Sequence, residues 1–419
     1  MKRKILISAY GCWPGRGSEL GVGWNWCVQM AKNNELYILT IKRSQKDIET
    51  ALKNLPMDMQ SNIHFYYFDY PKWVIKLLPA ATIRWYLYYL LWQIGIIPII
   101  LNLQKTIHFD YSMALTFGSV WLPTVLPLFR IPFIWGPWGG ADYIPEDYLN
   151  AISYNGGLLH WMQTKRKWLS LHICWLPHIR FTMYRASAIL CRTYGNRNIV
   201  PDIYKNKCSV ILETAMSETL IDLENVQNNK KSTTIKVLTT GRLIPSKNIA
   251  MAISAIFEAS KSLEIQYDII GDGPEFNNLE QLISKYNIHD KVKLVKTIPR
   301  EILLQRIKNY DIYLFPSLLE GGSWALMEAM HYGLPIICFD CSGMSVVTDD
   351  ECAIRIPITN PSQSLMNMVN AIIKLSSNPD LRLQMGINAS RKIQKEFSWE
   401  TKGEFMENLF NDLEKHNNQ

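Results

Sequence analysis

At 419 residues the chain exceeds one ordinary core, and its length favours two domains. With 48% hydrophobic and 19% charged residues, and 22 Gly and 20 Pro dispersed along it, the composition argues against disordered, collagen-like and repeat architectures. The net charge of +7 is unevenly held: residues 1–215 carry 23 Lys and Arg against 12 Asp and Glu, together with 12 of the 14 Trp, and the remainder is acidic by 4. Such asymmetry points to an anionic surface, membrane or nucleic acid.

The start, MKRKILISAY, joins a basic run to a short apolar stretch and leads into GCWPGRGSELGVGW, which is glycine-rich and unlike a cleavable signal. Lys4–Ser8 is therefore read as a first strand, followed by a Gly-rich loop, a helix over Leu20–Ala31 and a strand at Leu36–Ile41. Further strands are expected at Ile63–Phe68, Tyr111–Leu115, Pro132–Trp135, Ala188–Cys191 and Ser209–Leu212. Alternation of this kind predicts a parallel sheet with crossover helices.

Trp85 to Gln104 carries no charge over about the length that spans a bilayer. Gln93, Gly95, Pro98, Asn102 and Gln104 interrupt it, and a crossing would split the sheet predicted on either side. A buried domain helix and a helix dipping into a surface are the readings left open beside spanning.

Polar text between Met216 and Lys236 marks a linker, and the strand–helix alternation then restarts. Strands are expected at Lys236–Thr240, Ile265–Ile270, Lys291–Val295, Asp311–Phe315 and Pro335–Phe339. Helices are expected at Asn248–Ser262, Phe276–Tyr286, Arg300–Lys308 and Trp324–Tyr332. The domain reading is 1–215, a linker over 216–235, a second domain over 236–390, and a C-terminal helical segment over 391–419. Ligands of such domains bind where strands end and helices begin.

The densest chemistry lies in FPSLLEGGSWALMEAMHYGLP, residues 315–335. Ser323 is a helix N-cap, Gly333 a stop and Pro335 a barrier to continuation. Gly321 and Gly322 then precede a helix N-terminus, where backbone amides favour an anion. Glu320 and Glu328, with seven residues between them, reach different parts of one extended ligand. In TTGRLIPSKN, Arg242 and Lys247 follow a strand and offer two cations to a diphosphate. IIGDGPE adds Gly271 and Gly273 at a third loop. The eight Cys are scattered, and neither the CFDC pair nor any His has metal-ligand spacing.

Arg242 and Lys247 in GRLxxxK, Gly271-Asp272-Gly273-Pro274, and Glu320 with Glu328 occur in the order and spacing of the family-four retaining glycosyltransferases of GT-B fold, glycosyl transferases group 1. The chain resembles that family most closely over residues 236–357. GRGSELGVGW, residues 15–24, resembles the acceptor-side loop of some members. The resemblance implies an α/β fold of two Rossmann-like domains facing each other across a cleft. It also implies retaining, metal-independent transfer of a hexosyl or related sugar from a nucleotide-sugar donor to an acceptor hydroxyl. By the same resemblance Arg242 and Lys247 hold the diphosphate, Glu320 the donor sugar and Glu328 the ribose. Gly271, Gly273, Gly322, Ser323 and Thr297 complete the donor side, and Gly17, Glu19, Gly21, Gly139 and Asp142 are acceptor-side candidates. Where members show Phe-Gly this chain has Gly322-Ser323, and where they show Gly it has Lys296, so sugar and base preferences do not carry over.

The expected role is synthesis of a surface polysaccharide or lipid-linked glycan, with no cofactor and no metal, and with no nucleic-acid module recognised. The rival reading is an inactive partner subunit that has kept the fold. The expected location is cytoplasmic, on the inner face of the membrane. Attachment would run through residues 71–105, with Trp73, Trp85, Trp92, Lys72, Lys76, Arg84 and Lys105, and through 161–180, with Trp161, Lys165, Arg166, Lys167, Trp168, Trp175 and Arg180.

Overall fold

In the computed structural model, which describes residues 2–79, 82–152, 158–217 and 234–417, two wholly parallel sheets order the chain. The first holds β1 (Lys4–Ser8), β2 (Glu35–Ile41), β3 (Ile63–Phe68), β4 (Tyr111–Ala114), β5 (Phe133–Trp138), β6 (Ala186–Cys191) and β7 (Cys208–Val210), in the order β3-β2-β1-β4-β5-β6-β7. The second holds β8 (Ile235–Thr240), β9 (Ile265–Ile270), β10 (Val292–Val295), β11 (Ile312–Phe315), β12 (Ile336–Phe339) and β13 (Ala353–Ile356), in the order β10-β9-β8-β11-β12-β13. Each sheet runs outward from its first strand, then resumes on that strand's other side, which is the Rossmann order. The strands are short apolar runs because helices cover both faces of a parallel sheet. Thus Ile5 to Ser8 and Ile312 to Phe315 are buried without alternation.

Two compact units result, one of residues 1–141, 170–213 and 399–419, the other of 142–169 and 214–398. This differs from a single cut after residue 215. Residues 142–169 join the second unit because Tyr148, in the helix Glu146–Ala151, is fully buried there, edge-on to Phe339 at 5.9 Å and hydrogen-bonded to Ser364 at 2.5 Å. The helix Pro379–Glu396 also belongs to the second unit, and its packing partner is the helix Trp324–His331. Most of the expected linker, residues 218–233, lies outside the described residues.

In the first unit Tyr10 sits edge-on to Tyr89, Trp92 and Phe117, with ring centroids 5.3, 5.1 and 4.5 Å away. The stretch Arg84–Leu103 is long and apolar enough to cross a membrane by length and composition alone. It forms two helices, Thr82–Gly95 and Ile97–Leu103, whose inner side builds this core through Tyr88, Tyr89, Trp92, Ile96, Ile100 and Leu103. Trp92 Nε1 donates to the Phe68 carbonyl at 2.9 Å, and Gln93 Nε2 donates to Ser8 Oγ at 3.3 Å.

The last helix, Trp399–Asn417, completes this unit by packing against the helix Ser18–Met30. Arg3 donates to Glu407 at 2.8 Å and to Glu414 at 2.5 Å, while Phe410 is fully buried beside Tyr111 with ring centroids 5.0 Å apart. Truncating Phe410 to Ala should cost about 3–5 kcal/mol. Urea unfolding monitored in the first domain checks this, and a loss below about 1 kcal/mol would mean the terminal helix is peripheral.

Candidate functional site

The reversal of strand order places β8 beside β11, and ligands of such sheets bind at the loops leaving the carboxyl ends of strands at this switch point. From β8 the chain passes through Gly241, with φ at +138°, and Arg242 into a single 3-10 turn, Pro245–Lys247, before the helix Ile249–Ala259. From β11 it passes through Pro316 to Glu320 and into the helix Trp324–His331, capped by Ser323, whose Oγ accepts from the Leu326 amide. The two loops are tied by the Leu318 amide, which donates to the Ser246 carbonyl at 2.9 Å.

Between these two loops Lys247 Nζ forms an ion pair with Glu320 Oε2. Both side chains are largely buried, and the ammonium also lies 5.0 Å from the centre of the Phe315 ring. Burial, with the charge of Arg242 adding to it, pushes the Lys247 pKa down to about 8. Arg242 itself is exposed and makes no ion pair among the described residues. A free guanidinium and a confined ammonium thus stand at one strand end, an arrangement that accepts a diphosphate.

The Glu320 loop is fixed from three sides. Gly343 N–H donates to the Glu320 carbonyl at 2.9 Å, Ser342 Oγ donates to the same oxygen at 2.5 Å, and a Cβ on Gly322 would run into the Thr214 side chain. Gly322 is therefore glycine because Thr214 already fills its side-chain space. Gly271 and Gly273 have a similar reason, since a Cβ on either would strike the backbone of Gly241 or Leu243. These glycines let the β9 loop seat against the β8 loop and so support Arg242. Thr297 is exposed and lies beyond the end of β10.

Glu328 is buried, 5% exposed, and is met by Arg300, whose Nε and Nη2 both approach Oε1, at 2.8 and 2.6 Å. Burial raises the Glu328 pKa and Arg300 opposes the rise. Arg300 begins the helix Arg300–Ile307, and the sequence reading assigned it no role. Its partner lies 28 residues away in another helix, so no local pattern signals the pair.

In the first unit Glu19, in the first turn of its helix, accepts from the Gly118 amide at 3.2 Å and pairs with Arg192 at 3.2 Å. Arg192 also pairs with Glu213 at 3.3 Å and donates to the Pro137 carbonyl at 3.2 Å. Near Glu213, the buried Lys402 is pushed down to about 8 by desolvation. Gly139 packs on the Arg192 side chain and donates to the Gly118 carbonyl at 2.8 Å. The carboxyl ends of β1, β4, β5 and β6 are gathered by this network, with Gly17 as the exposed N-cap and Gly21 buried one turn on. Asp142 falls in the second unit, where its carbonyl accepts from Arg166 Nε at 3.0 Å. Among the described residues no group of three or more His, Cys, Asp or Glu is arranged to hold a metal ion.

Residues 221–392 match the family described as glycosyl transferases group 1. The phosphatidylinositol N-acetylglucosaminyltransferase GPI3 subunit of Saccharomyces cerevisiae is 26% identical over 208 residues, 47% of this chain and 45% of that one. Alpha-D-kanosaminyltransferase of Streptomyces kanamyceticus is 25% identical over 178 residues, 42% of this chain and 45% of its own. The chain thus spans about half the length of the curated relatives it matches. Over nearly its full length, 98%, it superposes on all of the lipopolysaccharide outer core galactosyltransferase WaaB with a TM-score of 0.62 at 17% identity. The fold is that of GT-B glycosyltransferases.

The Glu19 network makes a separable prediction. Arg192→Ala removes the cation that Glu19 and Glu213 share and should cost about 2–3 kcal/mol, whereas Glu19→Gln, which keeps the shape and one hydrogen bond, should cost about 1 kcal/mol. Equal, negligible effects in denaturant titrations would free Glu19 from this structural duty.

Proposed function

We propose that the protein is a retaining glycosyltransferase using a nucleotide-sugar donor, a reading supported by the match of residues 221–392 to glycosyl transferases group 1 and by the GT-B fold. The observation that carries this reading is the strand-end cluster of exposed Arg242 and buried Lys247 paired with Glu320, on the β8 and β11 loops of that same stretch. As the bond from the anomeric carbon to the diphosphate breaks, charge builds on the departing phosphate oxygen. Cations fixed beforehand stabilise that charge without reorganising. Glu320, held to Lys247 and by its own backbone, presents a carboxylate to the donor sugar hydroxyls, while Glu328 receives the ribose. The cations already in place make the transfer independent of added metal.

The acceptor we propose is a lipid-linked or polysaccharide intermediate on the inner face of a membrane, engaged through the first domain. Support comes from charge: residues 70–141 and 170–201 of the first unit hold 9 Lys and Arg and 1 Asp. Outward aromatics accompany it, with Trp73, Trp85 and Trp175 each more than half exposed. Two of them carry an arginine over the ring, Arg43 on Trp85 at 5.2 Å and Arg180 on Trp175 at 5.1 Å. Rings of this kind favour the headgroup level, and each basic residue near an anionic surface contributes about 1 kcal/mol. Two of the similar proteins are named for phosphatidylinositol and lipopolysaccharide. One is also named a subunit, so a partner that has lost transfer is the second reading.

Incubating the purified protein with a panel of nucleotide sugars discriminates the two readings. One donor should release its nucleoside diphosphate, with the anomeric configuration of the donor retained in the product and with no loss in EDTA. A protein that consumes no donor would fit the subunit reading, and restoration by magnesium or manganese would overturn the role of the cations.

Within the same assay Glu328→Ala should weaken donor binding at least about tenfold, the loss of one charge-assisted hydrogen bond. Glu320→Ala should lower kcat more than it weakens nucleotide binding. On vesicles, the protein should float with anionic lipid, far less with neutral lipid, and leave in high salt. Failure to float with anionic vesicles at low salt would remove the membrane from the proposal.

A further inference from the structure

Arg300 approaches Glu328 in an unusual way for an ion pair of its kind. Both Nε and Nη2 converge on one carboxylate oxygen, Oε1, at 2.8 and 2.6 Å. A guanidinium fork facing a carboxylate more often engages both oxygens. Here Oε2 accepts from nothing among the described residues. The carboxylate is buried while the Arg300 side chain is 60% exposed, so one partner is fixed in the protein and the other reaches in from its surface.

Resting on the donor reading of this site, we propose that Arg300 is a positioning residue for the nucleotide, holding Glu328 by Oε1 so that Oε2 stays oriented and charged toward the ribose hydroxyls. A buried carboxylate without a cation protonates readily, and a protonated one loses its strength as an acceptor. The direction of the two influences on Glu328, burial upward and Arg300 downward, fits this duty. Tyr313 on β11 and Tyr332 at the helix end both feel the Glu328 charge and both titrate above their ordinary value. His331, three residues along the same helix, is held below its ordinary value by burial.

The sign follows from linkage. Removing Arg300 leaves burial unopposed, so the Glu328 pKa rises, and the binding form, the carboxylate, is depleted as pH falls. Titration calorimetry with UDP, GDP and ADP against the full chain supplies the test, using whichever diphosphate the unaltered protein binds. Arg300→Ala should match the unaltered protein within about threefold at pH 8 and fall about tenfold or more behind it at pH 6. Arg300→Lys should recover most of the loss. In a Glu328→Gln background, where no charge remains to be held, Arg300→Ala should add less than about twofold.

Because Arg300 is largely exposed, Ala at this position is compatible with folding, and Arg300→Gln is the second variant if thermal unfolding shows otherwise. A pH-independent loss, no loss, or a loss that adds fully to Glu328→Gln overturns the positioning role while leaving the donor reading intact. No diphosphate bound by the unaltered protein overturns the donor reading, and this inference with it.

Discussion

The chemistry of this chain depends on two neighbouring strands, β8 and β11, that lie side by side although their loops are remote in sequence. Lys247 and Glu320 are 73 residues apart and meet because the strand order reverses between them. Neither could be held so far out of water alone: an unpaired buried ammonium would neutralise, and an unpaired carboxylate would protonate. The pair contributes little to net stability, since desolvating two charges offsets most of their attraction. What it does is fix a cation and an anion at the carboxyl edge of the sheet before any ligand arrives, so the cost of organising them falls on folding and not on binding.

The same edge of the first domain has been organised by the same physics to a different end. Arg192 lies between Glu19 and Glu213, and the backbone amide of Gly118 takes up more of the Glu19 charge. Here the guanidinium is the interior member, whereas in the second domain Arg242 stands outside and unpaired among the described residues. An enclosed arginine holds loops together, and an exposed one beside a confined lysine retains its attraction for a phosphate. The two Rossmann domains thus share an order of strands and differ in which charge is left unsatisfied.

Most of the fold was legible because its signals are local. Short apolar runs gave the strands, and the caps and stops of Trp324–His331 gave its helix, with Ser323 as the N-cap. The edge strand β13 escaped notice because AIRI is four residues long with an arginine in it. Residues 142–169 group with the second unit, where Tyr148 is buried against residues about 200 positions later, a contact that no local pattern signals. The site shows the same division. Arg242, Lys247, Glu320 and Glu328 stand in recognisable spacings, but Arg300 is defined only by what it touches. Glycines were the least informative residues. Gly322 reads as room for a ligand, and Gly271 and Gly273 as a donor-side loop, and each also makes room for a neighbouring segment of the protein itself.

The helical stretch from Arg84 to Leu103 shows how far composition alone can carry a reading. It has the hydropathy of a membrane span, but its apolar residues divide between two destinations. Tyr88, Trp92, Ile96 and Ile100 enter the core, and Trp92 and Gln93 anchor to the backbone of Phe68 and the hydroxyl of Ser8. These polar ties join the helix to the sheet, and a segment lying across a bilayer would have to give them up. On the outward side Trp85, Tyr86, Ile94 and Leu101 are each at least half exposed. A helix packed on one face in a water-soluble domain carries polar residues on the other. This one is apolar there as well, with basic residues and no acidic ones from 70 to 109. An apolar outer face bordered by cations is costly against water and favourable against an anionic headgroup layer, and this balance is the physical basis of the proposed peripheral attachment.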